Sequence, residues 1–147
     1  MIKIKTKIFI YAPPEKVWKE FTNLGKWPKM NSFYKYAKHT KGNPWTKGSM
    51  FEFLSDYGFL KTKAKPVILR VNAPNFIEWI GTKPFIKGKH SFTFRKLKNG
   101  TEVVNYEEFS GIGLPIINIL KLKPKIEKSF ELFMKGLKRE SERKSWI

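Results

Sequence analysis

The sequence contains no cysteine and only two histidines among its 147 residues. Without cysteine the chain can form no disulfide bond, no thiolate metal site and no cysteine nucleophile. Two histidines without any cysteine also argue against a structural or catalytic zinc site. We therefore expect no metal and no cofactor.

Long hydrophobic runs are missing as well, since no apolar stretch approaches the roughly 20 residues that a helix needs to span a bilayer. The first ten residues alternate lysine with isoleucine and do not form the continuous apolar segment of a signal peptide. We therefore expect a cytoplasmic protein. The length, with 41% hydrophobic and 16% aromatic residues, predicts a single domain over residues 1–147.

Acidic residues are scarce, because 12 Asp and Glu stand against 30 Lys and Arg and leave a formal net charge of +18. Nearly all of the basic residues are lysines spread along the chain. Nucleic-acid sites favour Arg, whose planar fork fits bases and phosphates, whereas dispersed Lys suits a solvated surface. The charge therefore has two interpretations: solvation alone, or weak and unselective contact with an anionic membrane or nucleic acid. Nothing in the sequence indicates an obligate protein partner.

What the sequence does contain is a long series of predicted strands. Isoleucines alternate with lysines from Ile2 to Ile10, which is the pattern of a half-buried strand. Pro14 and Glu15 suit the first turn of a helix that Gly25 is predicted to end, and a second short helix is predicted near residues 26–30. Six further strands are predicted at Phe33–Lys41, Ser49–Ser55, Lys63–Val71, Phe76–Thr82, Lys89–Lys98 and Thr101–Ser110.

The longest helical pattern lies between Pro115 and Ser145. Its apolar stripe recurs at steps of three and four residues and consists of Leu122, Ile126, Phe130, Phe133, Leu137 and Ser141. Pro124 fits either the first turn or a kink, and the chain beyond it would form a rod of roughly 30 Å. Because such a stripe needs a broad apolar surface, we predict an α+β fold. A curved antiparallel sheet of about seven strands wraps around the C-terminal helix and leaves a space beside it.

Six short motifs follow one another along nearly the whole chain. They are Ile8-x-Ile10-x-Ala12-Pro13-x-Glu15-x-Val17-Trp18, Trp27-Pro28-x-Met30-Asn31-Ser32-Phe33, Glu78-Trp79-x-Gly81, Gly88-Lys89-His90-Ser91-Phe92, Gly100-Thr101 with Glu107-Glu108-Phe109-Ser110-Gly111, and Leu137-Lys138-x-x-x-Glu142. In this order they resemble the SRPBCC superfamily of START lipid-transfer domains, polyketide cyclases and birch-pollen allergens, and its polyketide cyclase-like branch in particular. Met30, Ser32 and Lys89 depart from the usual motifs. The resemblance implies a helix-grip fold, with two short helices after the first strand and an apolar cavity under the final helix. It implies no particular ligand.

A hairpin at Asn99-Gly100 predicts which side chains of the last two strands share a face. With a two-residue turn, Lys98 opposes Thr101, so that one face carries His90, Phe92, Phe94, Asn105, Glu107 and Phe109. His90 and Glu107 then lie diagonally, about 7 Å apart at the backbone. The pair could hold a ligand hydroxyl or act as acid and base, or the two side chains could simply satisfy each other.

Large apolar side chains predicted on the sheet and the final helix are the other candidates for the cavity wall. Together with part of the hairpin face, the predicted ligand-binding residues are Phe51, Phe53, Trp79, Phe92, Phe94, Asn105, Phe109, Phe130, Phe133 and Met134. Taken singly, each of those outside the hairpin face is more often simple core than a ligand contact, but so much aromatic surface around one helix is what an apolar cavity needs.

Three functions remain open at this point. The first is binding or carriage of a small hydrophobic or amphipathic ligand, lipid- or polyketide-like, without a cofactor. The second is a cyclase or dehydratase that uses Glu107 and His90. The third is a binder of nucleic acid or anionic membrane that depends on charge alone.

Overall fold

The computed structural model describes residues 1–144, so that Ser145, the last residue of the predicted helical stretch, lies outside the described residues. The strands are β1 Ile2–Ile10, β2 Tyr34–Lys41, β3 Met50–Asp56, β4 Lys61–Ala64, β5 Val67–Asn72, β6 Phe76–Lys83, β7 Ile86–Leu97 and β8 Gly100–Ser110. The helices are α1 Pro14–Phe21, α2 Trp27–Met30, α3 Leu114–Ile119 and α4 Leu122–Glu142, with a 3-10 turn at Leu24–Lys26. None of the described helices is long and apolar enough to cross a membrane.

The strands form one curled antiparallel sheet in the order β1-β8-β7-β6-β5-β3-β2, with β4 paired to β3 beside that path. Breaks in register between β2 and β3 and between β5 and β6 help the sheet to curl, since a bulge bends its strand and increases the local twist. Helix α4 packs against β1, α1 and α2. The predicted helix-grip fold, with two short helices after the first strand, is confirmed.

The strand predicted at Lys63–Val71 is in fact two strands, β4 and β5, which both pair with β3. The break falls at Lys65 and Pro66, and proline has no backbone N–H to contribute to a ladder. Pairing between β5 and β6 begins at Val67 and Ile80, so β4 diverges from the end of β6. This divergence opens the sheet at one place.

The final helical stretch is divided by Lys121, whose φ of 53° is left-handed, into the short α3 and the 21-residue α4. Pro124 lies in the first turn of α4, one of the two positions that its sequence allowed. The predicted stripe is correct, since Phe130, Phe133, Leu137 and Ser141 are buried, and Leu122 and Ile126 are half-buried.

Gly25 does not end the first helix as predicted, because α1 stops at Phe21. The hydroxyl of Thr22 donates to the Trp18 carbonyl at 2.8 Å and satisfies one of the last acceptors of the helix. Gly25 instead lies within the 3-10 turn.

The core is an aromatic cluster at the end of the sheet covered by α1 and α2. Phe21 is completely buried and lies at its centre, with the rings of Phe92 and Phe94 at 4.7 and 5.2 Å between centroids. Trp27 packs at 5.2 Å from Phe133 of α4 and donates its indole N–H to the Phe21 carbonyl at 2.8 Å. Because this end is solidly filled, the space under α4 is restricted to the other end.

Candidate functional site

A cavity of about 400 Å³ lies between the first half of α4 and the sheet. The wall comes from both sides of the divergence, with residues 62–66 of the β4–β5 segment facing residues 81–84 at the end of β6. Ile117 of α3 and Leu122, Ile126 and Phe130 of α4 form the cover. The volume and the largely apolar wall are typical of small-molecule sites.

Glu107 and His90 both line this cavity. They are direct neighbours across β7 and β8, and His90 Nδ1 lies 3.7 Å from Glu107 Oε1. The imidazole is enclosed by the rings of Trp79, Phe92 and Phe130, with centroids 4.9, 4.9 and 5.0 Å away. The packing fixes the orientation of His90, and the carboxyl group reaches the cavity beside it.

The hydrogen bond between His90 and Asn105 determines the tautomer of the imidazole. Asn105 donates its amide N–H to the Thr6 hydroxyl at 3.1 Å, which leaves its carbonyl oxygen to accept from His90 Nε2. With the proton on Nε2, the lone pair on Nδ1 faces Glu107. Asn105 therefore acts as a positioning residue for the imidazole.

Neither member of the pair is charged near neutral pH. Burial raises the pKa of Glu107 to about 8. Burial also lowers the pKa of His90 to about 4, which the hydrogen bond to Asn105 partly offsets. Within residues 1–144, the Glu107 carboxyl receives no hydrogen bond that would favour its ionised form. The cavity therefore contains a neutral acid that can donate a proton and a neutral imidazole that can accept one.

Two facing glycines keep the space around Glu107 open. Gly81 and Gly88 are paired across β6 and β7. A Cβ atom on Gly88 would lie 2.8 Å from Glu107 Oε2, so a larger residue would displace the carboxyl group. A Cβ atom on Gly81 would meet no atom within 4 Å. The W-x-G and G-x-H motifs thus leave room for a ligand beside the acid.

Of the predicted ligand-binding residues, four line the cavity: Phe53, Trp79, Phe109 and Phe130. The other six do not line it: Phe51, Phe92, Phe94, Asn105, Phe133 and Met134. All six are buried, five of them within the apolar core and Asn105 beneath His90. Phe92 and Phe94 lie on the predicted hairpin face, but Phe21 and Trp18 of α1 fill the space above them.

Several polar residues that line the cavity were not predicted from the sequence. Tyr34, Ser55, Tyr57 and Ser129 lie on the wall together with Glu107. Burial raises the pKa of both tyrosines, and the nearby carboxylate form of Glu107 would add to this effect. Ser129 carried a weak signal, because a hydroxyl directly before Phe130 interrupts the apolar side of the helix.

Tyr34 and Tyr36, two residues apart on β2, do not form an exposed aromatic face on which nucleic-acid bases could stack. A register break lies between them. Tyr34 is consequently buried in the cavity wall, while the Tyr36 hydroxyl donates to Glu52 at 2.5 Å. Across residues 1–144, no group of three His, Asp or Glu side chains could hold a metal ion.

Comparison with known proteins agrees with this architecture. The sequence profile of the family described as polyketide cyclase/dehydrase and lipid transport matches residues 1–142. The chain belongs to this family. Its membership confirms the resemblance to the SRPBCC superfamily and supports a ligand-binding fold. No curated protein matches the sequence.

Solved structures share the fold of this polyketide cyclase/dehydrase and lipid transport family member at low identity. Zhui aromatase/cyclase from Streptomyces sp. R1128 is 13% identical, covers 97% of this chain and 94% of its own, and has a TM-score of 0.80. TTHA0849 from Thermus thermophilus is 14% identical over 95% and 97% of the two chains, with a TM-score of 0.79. Ara h 8.0201 is 14% identical over 92% and 97%, with a TM-score of 0.68. At these identities the likeness shows the fold alone.

Proposed function

We propose that the protein binds and carries a small hydrophobic or amphipathic molecule, lipid- or polyketide-like, in the cavity under α4. The observation that carries the proposal is an apolar cavity of about 400 Å³ with one neutral carboxyl group facing into it. An apolar wall favours transfer of the ligand from water, and a few directed polar groups fix its orientation.

The wall offers separate positions for the two ends of an amphipathic ligand. Phe53, Trp79, Phe109 and Phe130 supply the apolar surface. Glu107, protonated near neutral pH, donates a hydrogen bond to a carbonyl or hydroxyl oxygen of the ligand. Exposed lysines at the mouth, such as Lys63 and Lys83, would meet an anionic end that remains in water.

The substitution Gly81→Phe tests the proposal because it fills the cavity without a clash at Cβ. We expect the wild type to bind one environment-sensitive apolar dye per chain, and a fatty alcohol to displace it. The variant should lose at least about tenfold in dye affinity, since the new ring takes the space of the ligand. Fluorescence titration measures both affinities.

Thr93→Phe is the matched control, since Thr93 is exposed on the outer face of β7. It adds a ring of the same size outside the cavity and should leave dye affinity unchanged. Equal affinities in wild type and Gly81→Phe, with both proteins folded, would rule out the cavity as the binding site.

A second candidate function rests on the contact between Glu107 and His90. A neutral acid 3.7 Å from a neutral imidazole suits a cofactor-free dehydration or cyclisation. In a dehydration, His90 Nδ1 takes a proton from carbon and a double bond forms. Glu107 gives its proton to the departing hydroxyl, which leaves as water, and a later proton transfer from His90 restores the acid. The low pKa of His90 makes it a weak base, which favours the carrier function.

Glu107→Gln distinguishes a catalyst from a carrier. If Glu107 transfers a proton, turnover of a polyketide-like β-hydroxy ketone should fall on the order of 100-fold, because glutamine cannot supply the acid. The dissociation constant of the ketone, measured by dye displacement, should change far less. Unchanged turnover would exclude Glu107 as the acid.

A further inference from the structure

Exposed large apolar side chains are concentrated at one end of the molecule. Eight are found among the described residues, and only Tyr11 lies away from this end. Six project from three connections, namely Phe59 between β3 and β4, Phe85 between β6 and β7, and, between β8 and α4, Ile112, Ile116, Ile119 and Leu120. We call these three connections the mouth face.

The registers place the three connections together. β3 and β6 both pair antiparallel with β5, so they run in the same direction, and the β3–β4 and β6–β7 connections lie at the same end of the sheet. The start of β7 pairs with the end of β8, which brings the third connection to that end as well. The backbone N–H of Gly113 donates to the Phe85 carbonyl at 2.8 Å, which joins two of the connections directly. Pro84 and Ile117, each beside an exposed apolar residue, line the cavity. The mouth face therefore surrounds the cavity opening.

The three connections, together with the ends of the strands and helix that flank them, carry mostly positive charge. Residues 56–65 carry Lys61, Lys63 and Lys65 against a single Asp56. Residues 82–87 add two lysines and residues 111–126 add three, without any acid. All eight lysines are exposed. Within residues 1–144 none of the eight forms an ion pair.

We propose that the mouth face docks on an anionic lipid bilayer, with its apolar tips inserted among the head groups and its lysines on the lipid charges. A bilayer surface has anionic head groups outside and an apolar acyl region beneath them. The unpaired lysines match the head groups, and the apolar side chains match the acyl region. Tips on three separate connections can each enter a fluid surface. A nucleic acid would match the lysines but would leave the aliphatic tips in water, since isoleucine and leucine offer no ring for base stacking.

Docking through the mouth face is distinct from binding that depends only on the net charge of the protein. Lysines spread over every face would let the protein bind an anionic membrane or nucleic acid in any orientation. The mouth face predicts instead that one end of the molecule binds and that binding partly survives salt, because apolar insertion is not screened. Docking here would also bring the cavity opening onto the bilayer.

The test is flotation of the ligand-free protein with vesicles, either of phosphatidylcholine alone or of an equimolar phosphatidylcholine–phosphatidylglycerol mixture. Wild type should float with the anionic vesicles. The double variant Phe85→Ser/Ile119→Ser should lose at least about tenfold in partition coefficient. Tyr11→Ser, which removes an exposed ring at the opposite end, should float like wild type.

Two double variants that remove the same charge distinguish the contribution of the mouth face from that of the net charge. Lys121→Gln/Lys123→Gln and Lys96→Gln/Lys98→Gln each remove two exposed lysines, the second pair near the β7–β8 turn at the opposite end. The first pair should weaken flotation severalfold more than the second. Equal effects of the two pairs, full flotation of the Phe85→Ser/Ile119→Ser variant, or no flotation of wild type would each overturn the docking surface. All exchanged side chains are exposed, and unchanged thermal melting confirms that the variants fold.

Discussion

Glu107→Gln should stabilise the protein by on the order of 5 kcal/mol near pH 9 and by less than about 1 kcal/mol near pH 5. The reason is the burial of Glu107, which raises its pKa from 4.5 to about 8 in the folded protein. Glutamine has nearly the same shape and stays neutral at every pH. Removal of this ionisable side chain is thus expected to stabilise the fold increasingly as the pH rises above about 4.5.

The sign of this pH dependence follows from whether the folded or the unfolded chain keeps the Glu107 proton. Below about pH 4.5 the carboxyl is protonated in both states, and its raised pKa costs no stability. Between about pH 4.5 and 8 the unfolded chain releases the proton while the folded chain keeps it. Rising pH therefore favours unfolding progressively, and the loss is complete once the folded carboxyl also ionises. His90 contributes the opposite trend at lower pH, since its folded pKa lies below its ordinary value, but this contribution is common to wild type and variant.

Urea unfolding of both proteins from about pH 5 to pH 9 measures the difference. Glu127→Gln is the control, because its carboxyl is exposed on α4, and it should show a small difference that hardly varies with pH. A constant difference between Glu107→Gln and wild type across the range would mean that Glu107 is not protonated in the folded cavity.

Gly136→Ala should destabilise the protein by roughly 2–4 kcal/mol, although the same change normally favours a helix by up to about 1 kcal/mol. A Cβ atom on Gly136 would lie 2.3 Å from both the Cα atom and the carbonyl oxygen of Met30. The obstacle is backbone, so α4 and α2 would have to separate. The buried Asn31 beside Met30 would move with them, and its amide donates to the Ser129 carbonyl and hydroxyl at 3.0 and 2.7 Å.

Gly25→Ala is the matched control for this substitution. Its Cβ atom would meet only the Asn23 side chain at 3.4 Å, which is an ordinary contact. Chemical denaturation should therefore place Gly25→Ala within about 1 kcal/mol of wild type. A stabilised Gly136→Ala variant would show that α2 and α4 do not approach as closely as described.

The fold could be predicted from the sequence because its main signals are periodic and redundant. Alternation along β1 and the stripe from Leu122 to Leu137 each report a single buried face. Neither needs an accurate boundary. The position of the cavity depends instead on two single interruptions, the divergence at Pro66 and the left-handed Lys121. A lysine carries no sequence signal for such a conformation.

The β7–β8 hairpin shows how a wrong register can still predict the right face. The turn is formed by Lys98 and Asn99, so the observed pairing differs from the predicted one by two positions. An even shift keeps every side chain on its face, and His90 and Glu107 become direct neighbours. Gly100 was assigned to the turn, but Asn99 takes the positive φ of 70°. A Cβ atom on Gly100 would lie 2.2 Å from the Ile10 carbonyl oxygen, so this glycine is needed where β8 meets β1.

The sequence could not predict which half of the hairpin face lines the cavity. Phe92 and Phe94 lie on the same face as His90, two and four residues further along β7. They are covered because Phe21 and Trp18 of α1 fill the space above them. Alternation identifies the inner side of a strand but does not show what lies opposite it. That depends on contacts between distant parts of the chain.

Native mass spectrometry of freshly purified wild type, beside the Gly81→Phe and Thr93→Phe variants, tests the carriage of a ligand most directly. Wild type and Thr93→Phe should each show one added mass per chain, which organic extraction releases as an apolar or amphipathic molecule. Gly81→Phe should show the mass of the bare chain. An added mass that persists in Gly81→Phe, or wild type that stays bare and accepts no apolar compound on incubation, would contradict carriage in the cavity under α4.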